Sequence, residues 1–279
     1  RRLLSSPPGR KNKLMSLHGH LTRVLMSLEN RRSRIFSNII LVFADLLVAK
    51  EALNTIALLM SWSLTFKCKG KDKNGRKPYK AVFLMKSVFS DDINQGLAPL
   101  ERLTLYEMDR RVLKSLVRPF LPYEVRDNSY KNNDVALASA KQQTRDFFEK
   151  LVPLFLKLSK VDAILTGNVV YWAEQEFAGV VNAHGTAFIA CHKESIQAPK
   201  LSDELMELRK VGNDPFQGTA VAVYNQYAYD QLVDGGIVAA DRISITGAPR
   251  FDRFHQFRIS NPQPHKKIVC LLVSKISQL

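Results

Sequence analysis

The chain has 279 residues, 46% hydrophobic and 24% charged, a globular balance that excludes a wholly disordered or collagen-like chain. Its 41 Lys and Arg against 26 Asp and Glu leave a formal charge of +15. Three cysteines, Cys68, Cys191 and Cys270, exclude a disulfide framework and a C-x-x-C metal or redox pair, and they fit a reducing compartment.

The excess charge belongs to the first 86 residues. Residues 1–34 hold nine basic side chains and one acid, residues 67–86 hold eight and one, and beyond 86 the two signs nearly cancel. Ser5-Ser6-Pro7-Pro8-Gly9 followed by Arg10-Lys11 reads as a basic tail. Two apolar runs follow, Ile35–Ala49 and Ala52–Phe66. Neither reaches the ~18–20 residues of a spanning helix, and the first begins too late for a cleaved signal peptide. They suit core helices, or helices in a membrane interface with Lys and Arg facing anionic headgroups. Lys67–Lys80 is a glycine-containing basic loop with Tyr79 as its one aromatic residue, too few for a base-stacking platform, so nucleic acid is disfavoured as a partner. Residues 1–80 therefore form a basic, apolar helical extension.

From residue 81 the pattern alternates. Ala81–Met85 is a strand buried on both faces, Ser87–Gln95 a polar turn with Asp91-Asp92, and 98–118 a helix stopped by Pro119 and Pro122. A long helix covers about 135–159, with a kink expected at Pro153. Strands then fall at 163–166, 187–191, 219–224 and 243–246, with helices at 170–182 and 226–235 between some of them. This alternation predicts an α/β class fold with a Rossmann-like parallel sheet over 81–258. Residues 259–279 read as a hinge and, at Lys267–Val273, the first strand of a second α/β domain, which predicts a C-terminal half beyond Leu279.

Ligands bind such sheets beyond the carboxyl ends of the strands. The residues there are Gly167-Asn168, His192-Lys193-Glu194, Asn225 and Gly247–Asp252. His192 suits a general base, because imidazole titrates near neutral pH, with Glu194 beside it as a second catalytic candidate. Asn168, Asn225, Arg250 and Asp252 are the substrate-binding candidates, Arg250 for an anion and Asp252 to fix its geometry. Glu174 and Glu176 fall on a helix, where most glutamates face water, and His184 falls in a turn. No Gly-rich dinucleotide loop, P-loop, serine-hydrolase elbow or zinc-protease motif occurs, and no Asp-x-Asp. No metal site is expected.

Thr166-Gly167-Asn168, Phe188–Glu194, Val223-Tyr224-Asn225, Asp234-Gly235-Gly236-Ile237 and Ile245–Asp252 together resemble the N-terminal half of GT-B glycosyltransferase-like proteins of bacterial surface and capsular polysaccharide biosynthesis. They are also similar to CDP-glycerol glycerophosphotransferases and sugar-nucleotide 2-epimerases, which share that architecture. The resemblance covers about 81–279 and is carried most by Thr246-Gly247-Ala248-Pro249-Arg250-Phe251-Asp252. It implies transfer of a sugar or polyol phosphate from a nucleotide-sugar or CDP-polyol donor to a glycan or lipid-linked acceptor. The nucleotide-activated donor is then a substrate, with no tightly bound cofactor. It implies a cytoplasmic protein, and the basic, apolar residues 1–80 would suit a peripheral place on the inner face of the membrane. His192 would activate the acceptor hydroxyl and Arg250 would meet phosphate charge. An epimerase, and a non-catalytic basic module that binds membrane or anionic polymer, are the alternatives.

Overall fold

The computed structural model describes residues 9–127, 130, 135–192, 215–252, 256–257 and 259, the side chains of 9–26, 29 and 136 excepted. Among the described residues seven strands form one sheet: β1 Thr65–Cys68, β2 Tyr79–Met85, β3 Leu103–Asp109, β4 Ala163–Thr166, β5 Ala187–His192, β6 Ala220–Val223 and β7 Ile243–Ile245. Their order in space is β1-β3-β2-β4-β5-β6-β7. Every neighbouring pair is parallel except β1 with β3. The fold is thus α/β with a mostly parallel, mixed sheet. The helices are α1 Gly9–Ala49, α2 Leu53–Trp62, α3 Ser90–Asp92, α4 Arg110–Val117, α5 Val135–Ser159, α6 Gln175–Ala183 and α7 Gln226–Asp234.

Alternation along each strand divides the sheet into two faces. Val82, Leu84, Ile164, Phe188 and Val221 face the main core with α2, α4, α5, α6 and α7. In this core Phe120, Phe147, Phe148, Phe177, Phe188 and Phe216 form a ladder with ring centroids 5.1 to 6.2 Å apart. Each buried ring contributes roughly 1.5–3 kcal/mol of transfer free energy. Ala81, Phe83, Leu105 and Leu165 face the other way, into a smaller core closed by Phe89 and Ile93. Those two come from the connector between β2 and β3. The β2-to-β3 crossover runs across the sheet in the opposite direction to the β3-to-β4 crossover and the later ones. Right-handedness therefore sends it to the face opposite the helices. There Phe89 lies over Gly167, where an added Cβ would fall inside the ring.

The strands at 163–166 and 243–246 and helices at 135–159 and 226–235 stand close to their expected places. Two segments differ. Residues 98–118, expected as one helix, are the strand β3 followed by α4. β3 is buried on both faces, so Leu105 and Met108 enter opposite cores and mimic helical spacing. Thr65-Phe66, expected at the end of an apolar run, and Lys67-Cys68, expected at the start of a basic loop, together form the edge strand β1, joined to α1 by the 2.6 Å Ser33–Thr65 hydroxyl contact. Among the described residues no helix is long and apolar enough to cross a membrane. The expected strand 267–273 lies outside the described residues.

At the carboxyl ends of β3 and β4, Glu174 is 3% exposed. Its carboxylate accepts from Arg110 Nε and from the Thr166 hydroxyl. Arg110 also stacks 3.4 Å above the Tyr171 ring and stands 3.7 Å from Asp127. Burial pushes the Glu174 carboxyl upward, against the pull of Arg110 and Thr166. Removing one member of a buried pair strands the other charge. Arg110→Ala is expected to lower the unfolding free energy by about 3–5 kcal/mol in urea titrations. Arg111→Ala, which breaks an exposed pair with Asp109, is expected to cost about 0–1 kcal/mol in the same assay.

Candidate functional site

A cavity of about 320 Å³ opens at the carboxyl ends of β5, β6 and β7, on the face away from the helices. Cys191, Ala222 and Thr246 come from the strand ends, Asp92, Ile93 and Leu97 from the connector, and Pro249 and Asp252 from the segment after β7. Gly247, at φ 77°, turns the chain there in a conformation that side chains disfavour, and Pro249–Phe251 then forms a short turn.

Asp92 organises the polar side. Its Oδ1 accepts from Arg250 Nε at 2.8 Å and from the Tyr224 hydroxyl at 2.9 Å, and its Oδ2 accepts from Arg250 Nη2. The hydrogen bonds it donates to Asp92 hold the Arg250 guanidinium above its ordinary range. Burial, with Asp92 alongside, pushes the Tyr224 hydroxyl well above its ordinary value, so it stays a neutral donor. Burial, then Asp92, pushes the Cys191 thiol up to about 11. The cavity therefore presents a neutral phenol, a neutral thiol and the exposed Asp252 carboxylate over an apolar floor, with the Arg250 guanidinium held beside it by Asp92. Such a set can bind and orient a ligand rich in hydroxyl or phosphate groups.

Of the residues singled out from sequence, Asp252 lines this cavity and Arg250 stands beside it, bonded to Asp92. The others do not. His192 is the last residue of β5, one place earlier than expected, and 1% exposed. Cys191 lines the cavity, so its neighbour His192 points to the helical face. Asn168 is buried, and its Oδ1 accepts from Val170 N–H at 3.1 Å to close a turn. Asn225 caps α7, accepting from Ala228 N–H at 2.9 Å. Glu194 lies outside the described residues. Glu174 and Glu176 do not face water: Glu174 pairs with Arg110, and Glu176 accepts from the Tyr130 hydroxyl at 3.1 Å and Arg145 Nε at 2.9 Å.

Asp92, Tyr224 and Cys191 were missed. The available signal was Asp91-Asp92 in the connector, combined with the handedness that carries that connector onto the second face. Among the described residues no group of three or more His, Cys, Asp or Glu could hold a metal ion. The chain matches no family model, no curated protein and no solved structure.

The raised Cys191 value gives a pH test. With a thiol near 11, about one molecule in a thousand is thiolate at pH 8, and the fraction rises tenfold per pH unit until the thiol titrates. Alkylation of the Cys191 peptide by iodoacetamide, followed by mass spectrometry, should be slow at pH 8 and climb steadily to pH 10. Asp92→Asn removes a nearby negative charge, lowers that value and should speed labelling at pH 8.

Proposed function

We propose that this chain is the acceptor-side α/β domain of a GT-B-type transferase that moves a sugar or polyol phosphate from a nucleotide-activated donor to a cell-envelope glycan or lipid-linked acceptor. The observation that carries the reading is the Asp92–Arg250–Tyr224 cluster beside a cavity at the carboxyl ends of parallel strands. Arg250 supplies the cation for phosphate, and Asp92 holds its guanidinium plane in place. Tyr224 and Thr246 supply hydroxyls to position the acceptor. Asp252, exposed and lining the cavity, is the carboxylate available to take a proton from an attacking hydroxyl. Asp92 is less suited to that step, because both its oxygens already accept hydrogen bonds. His192 faces the helices and would act through strand packing.

A membrane-surface setting is supported by α1. Leu28, Ile35, Val42 and Leu46 are exposed along one side of the helix, and Arg31, Arg32 and Arg34 are exposed nearby. An apolar stripe bordered by arginines fits the interface of an anionic bilayer, where a lipid-linked acceptor resides.

Calorimetric titration with CDP-glycerol, a UDP-sugar and a glycerol-phosphate oligomer tests the transferase reading. At least one should bind saturably, and Arg250→Ala should weaken it about tenfold, the loss of one charge-assisted hydrogen bond. Absence of binding to all three, or affinity indifferent to Arg250, would refute it. In co-sedimentation, phosphatidylglycerol vesicles should capture the chain and phosphatidylcholine vesicles should not. Ile35→Asp with Val42→Asp should abolish capture, and retention by that double variant would sink the membrane setting.

A further inference from the structure

A larger basin, of about 800 Å³, lies between α1 and the carboxyl ends of β2 and β3. It is distinct from the cavity at β5–β7, shares no lining residue with it, and has no part in the transferase reading.

The inner stripe of α1 changes character along its length. Ile40, Ala44 and Val48 are buried and apolar, as core packing requires. One and two turns earlier the same stripe carries Ser37 and Ser33, 7% and 2% exposed, and Asn30, Arg34, Ser37 and Asn38 all line the basin. A helix that turns serine and asparagine inward is facing a polar space, because buried hydroxyls and amides contribute no apolar burial. The opposite wall is cationic: Lys86 follows β2, and Arg110, Arg111 and Lys114 lie on α4.

The charges on this wall do not cancel. Glu107 is paired with Lys67 at 3.2 Å, Asp109 with Arg111 at 2.6 Å, and Glu174 with Arg110. Arg34, Lys86 and Lys114 have no carboxylate at salt-bridge distance among the described residues. Arg110 is more than nine-tenths buried, and its Nη2 has no hydrogen-bond acceptor. Burial, then Arg110, with Arg118 and Arg126 adding, holds the Lys114 ammonium below its ordinary value against the opposing pull of Asp127. This is a positive field lacking its counter-charge.

We propose that the basin binds the phosphate or diphosphate group of a small phosphorylated molecule through Lys86, Lys114 and Arg34, with Ser37, Ser87 and Asn38 as uncharged hydrogen-bonding partners. The volume falls in the range of roughly 300–1,000 Å³ typical of small-molecule sites, so it admits more than orthophosphate. The carboxyl ends of parallel strands, next to the β2–β4 switch point, are where such sheets hold ligands. The phosphate group can belong to a free metabolite or to a lipid headgroup.

Two arms distinguish these sources. The full chain is titrated calorimetrically with inorganic diphosphate and with cytidine diphosphate at physiological salt. It is also sedimented with phosphatidylcholine vesicles containing phosphatidic acid. Saturable binding in solution assigns a free ligand. Vesicle capture without saturable binding in solution, lost when Lys86→Ala and Lys114→Ala are combined, assigns a headgroup. In either arm Lys86→Ala and Lys114→Ala should each weaken binding about tenfold. Asn38→Trp, at an exposed position, should block the basin while keeping every charge. Arg250→Ala should leave this binding unchanged, so failure here and failure of the transferase reading are separable. No saturable binding in either arm, or binding that survives both the Lys86→Ala, Lys114→Ala double variant and Asn38→Trp, would overturn the proposal.

Discussion

The handedness of one crossover governs the rest of the molecule. At β2 the chain steps to one side to make β3 and then passes back to make β4 on the other. Right-handed connections in both directions cannot share a face, so the stretch after β2 is alone among the described connectors in crossing the far side. It closes the smaller core there and carries Asp92 to an arginine 158 residues away. Magnitudes show what holds it. Burial of Phe89 and Ile93 contributes roughly 1.5–3 kcal/mol each. The partly exposed Asp92–Arg250 pair contributes about 1 kcal/mol or less after screening. Apolar anchoring places the connector, and the ion pair selects its register.

Both polar spaces follow from this division, one on each side of that connector. The cavity at β5–β7 has its cation already matched by Asp92, so an incoming anion must compete with a carboxylate for Arg250. The basin by α1 has cations without matching carboxylates. The first arrangement favours orientation of a ligand and the second favours capture. α1 contributes to both interior and surface: its inner stripe passes from core to basin, and its outer stripe leaves apolar side chains in water.

Much of the sheet was legible because β4, β6 and β7 are short β-rich runs ending at Gly, Asn or Thr. β3 was illegible for a physical reason. A strand buried on both faces needs apolar residues at both parities, and Leu105 with Met108 imitates a helical repeat. The site was legible only in part. Arg250 and Asp252 follow a strand and can be placed by position alone. His192 could not, because one extra residue in β5 reverses the face its ring takes. Asp92 was hidden by sequence distance, and Glu174 by the ordinary preference of helical glutamates for water, here overridden by Arg110.

The lysines after β1 have a consequence for how copies of this chain meet in solution. β1 is the outermost strand on its side, bulged between Phe66 and Cys68, and Lys69, Lys71 and Lys73 stand exposed immediately beyond it. A flat strand with free backbone donors and acceptors would template stacking by another sheet. A bent strand followed by a lysine-rich segment, which Asp72 and the Glu101 partner of Lys71 and Lys73 offset only in part, disfavours pairing with its own copy. Among the described residues the opposite margin is β7, which has only three residues to offer. Part of the strong positive charge of the first 86 residues thus acts as protection against aggregation, a role it fills whether or not any membrane or ligand is nearby.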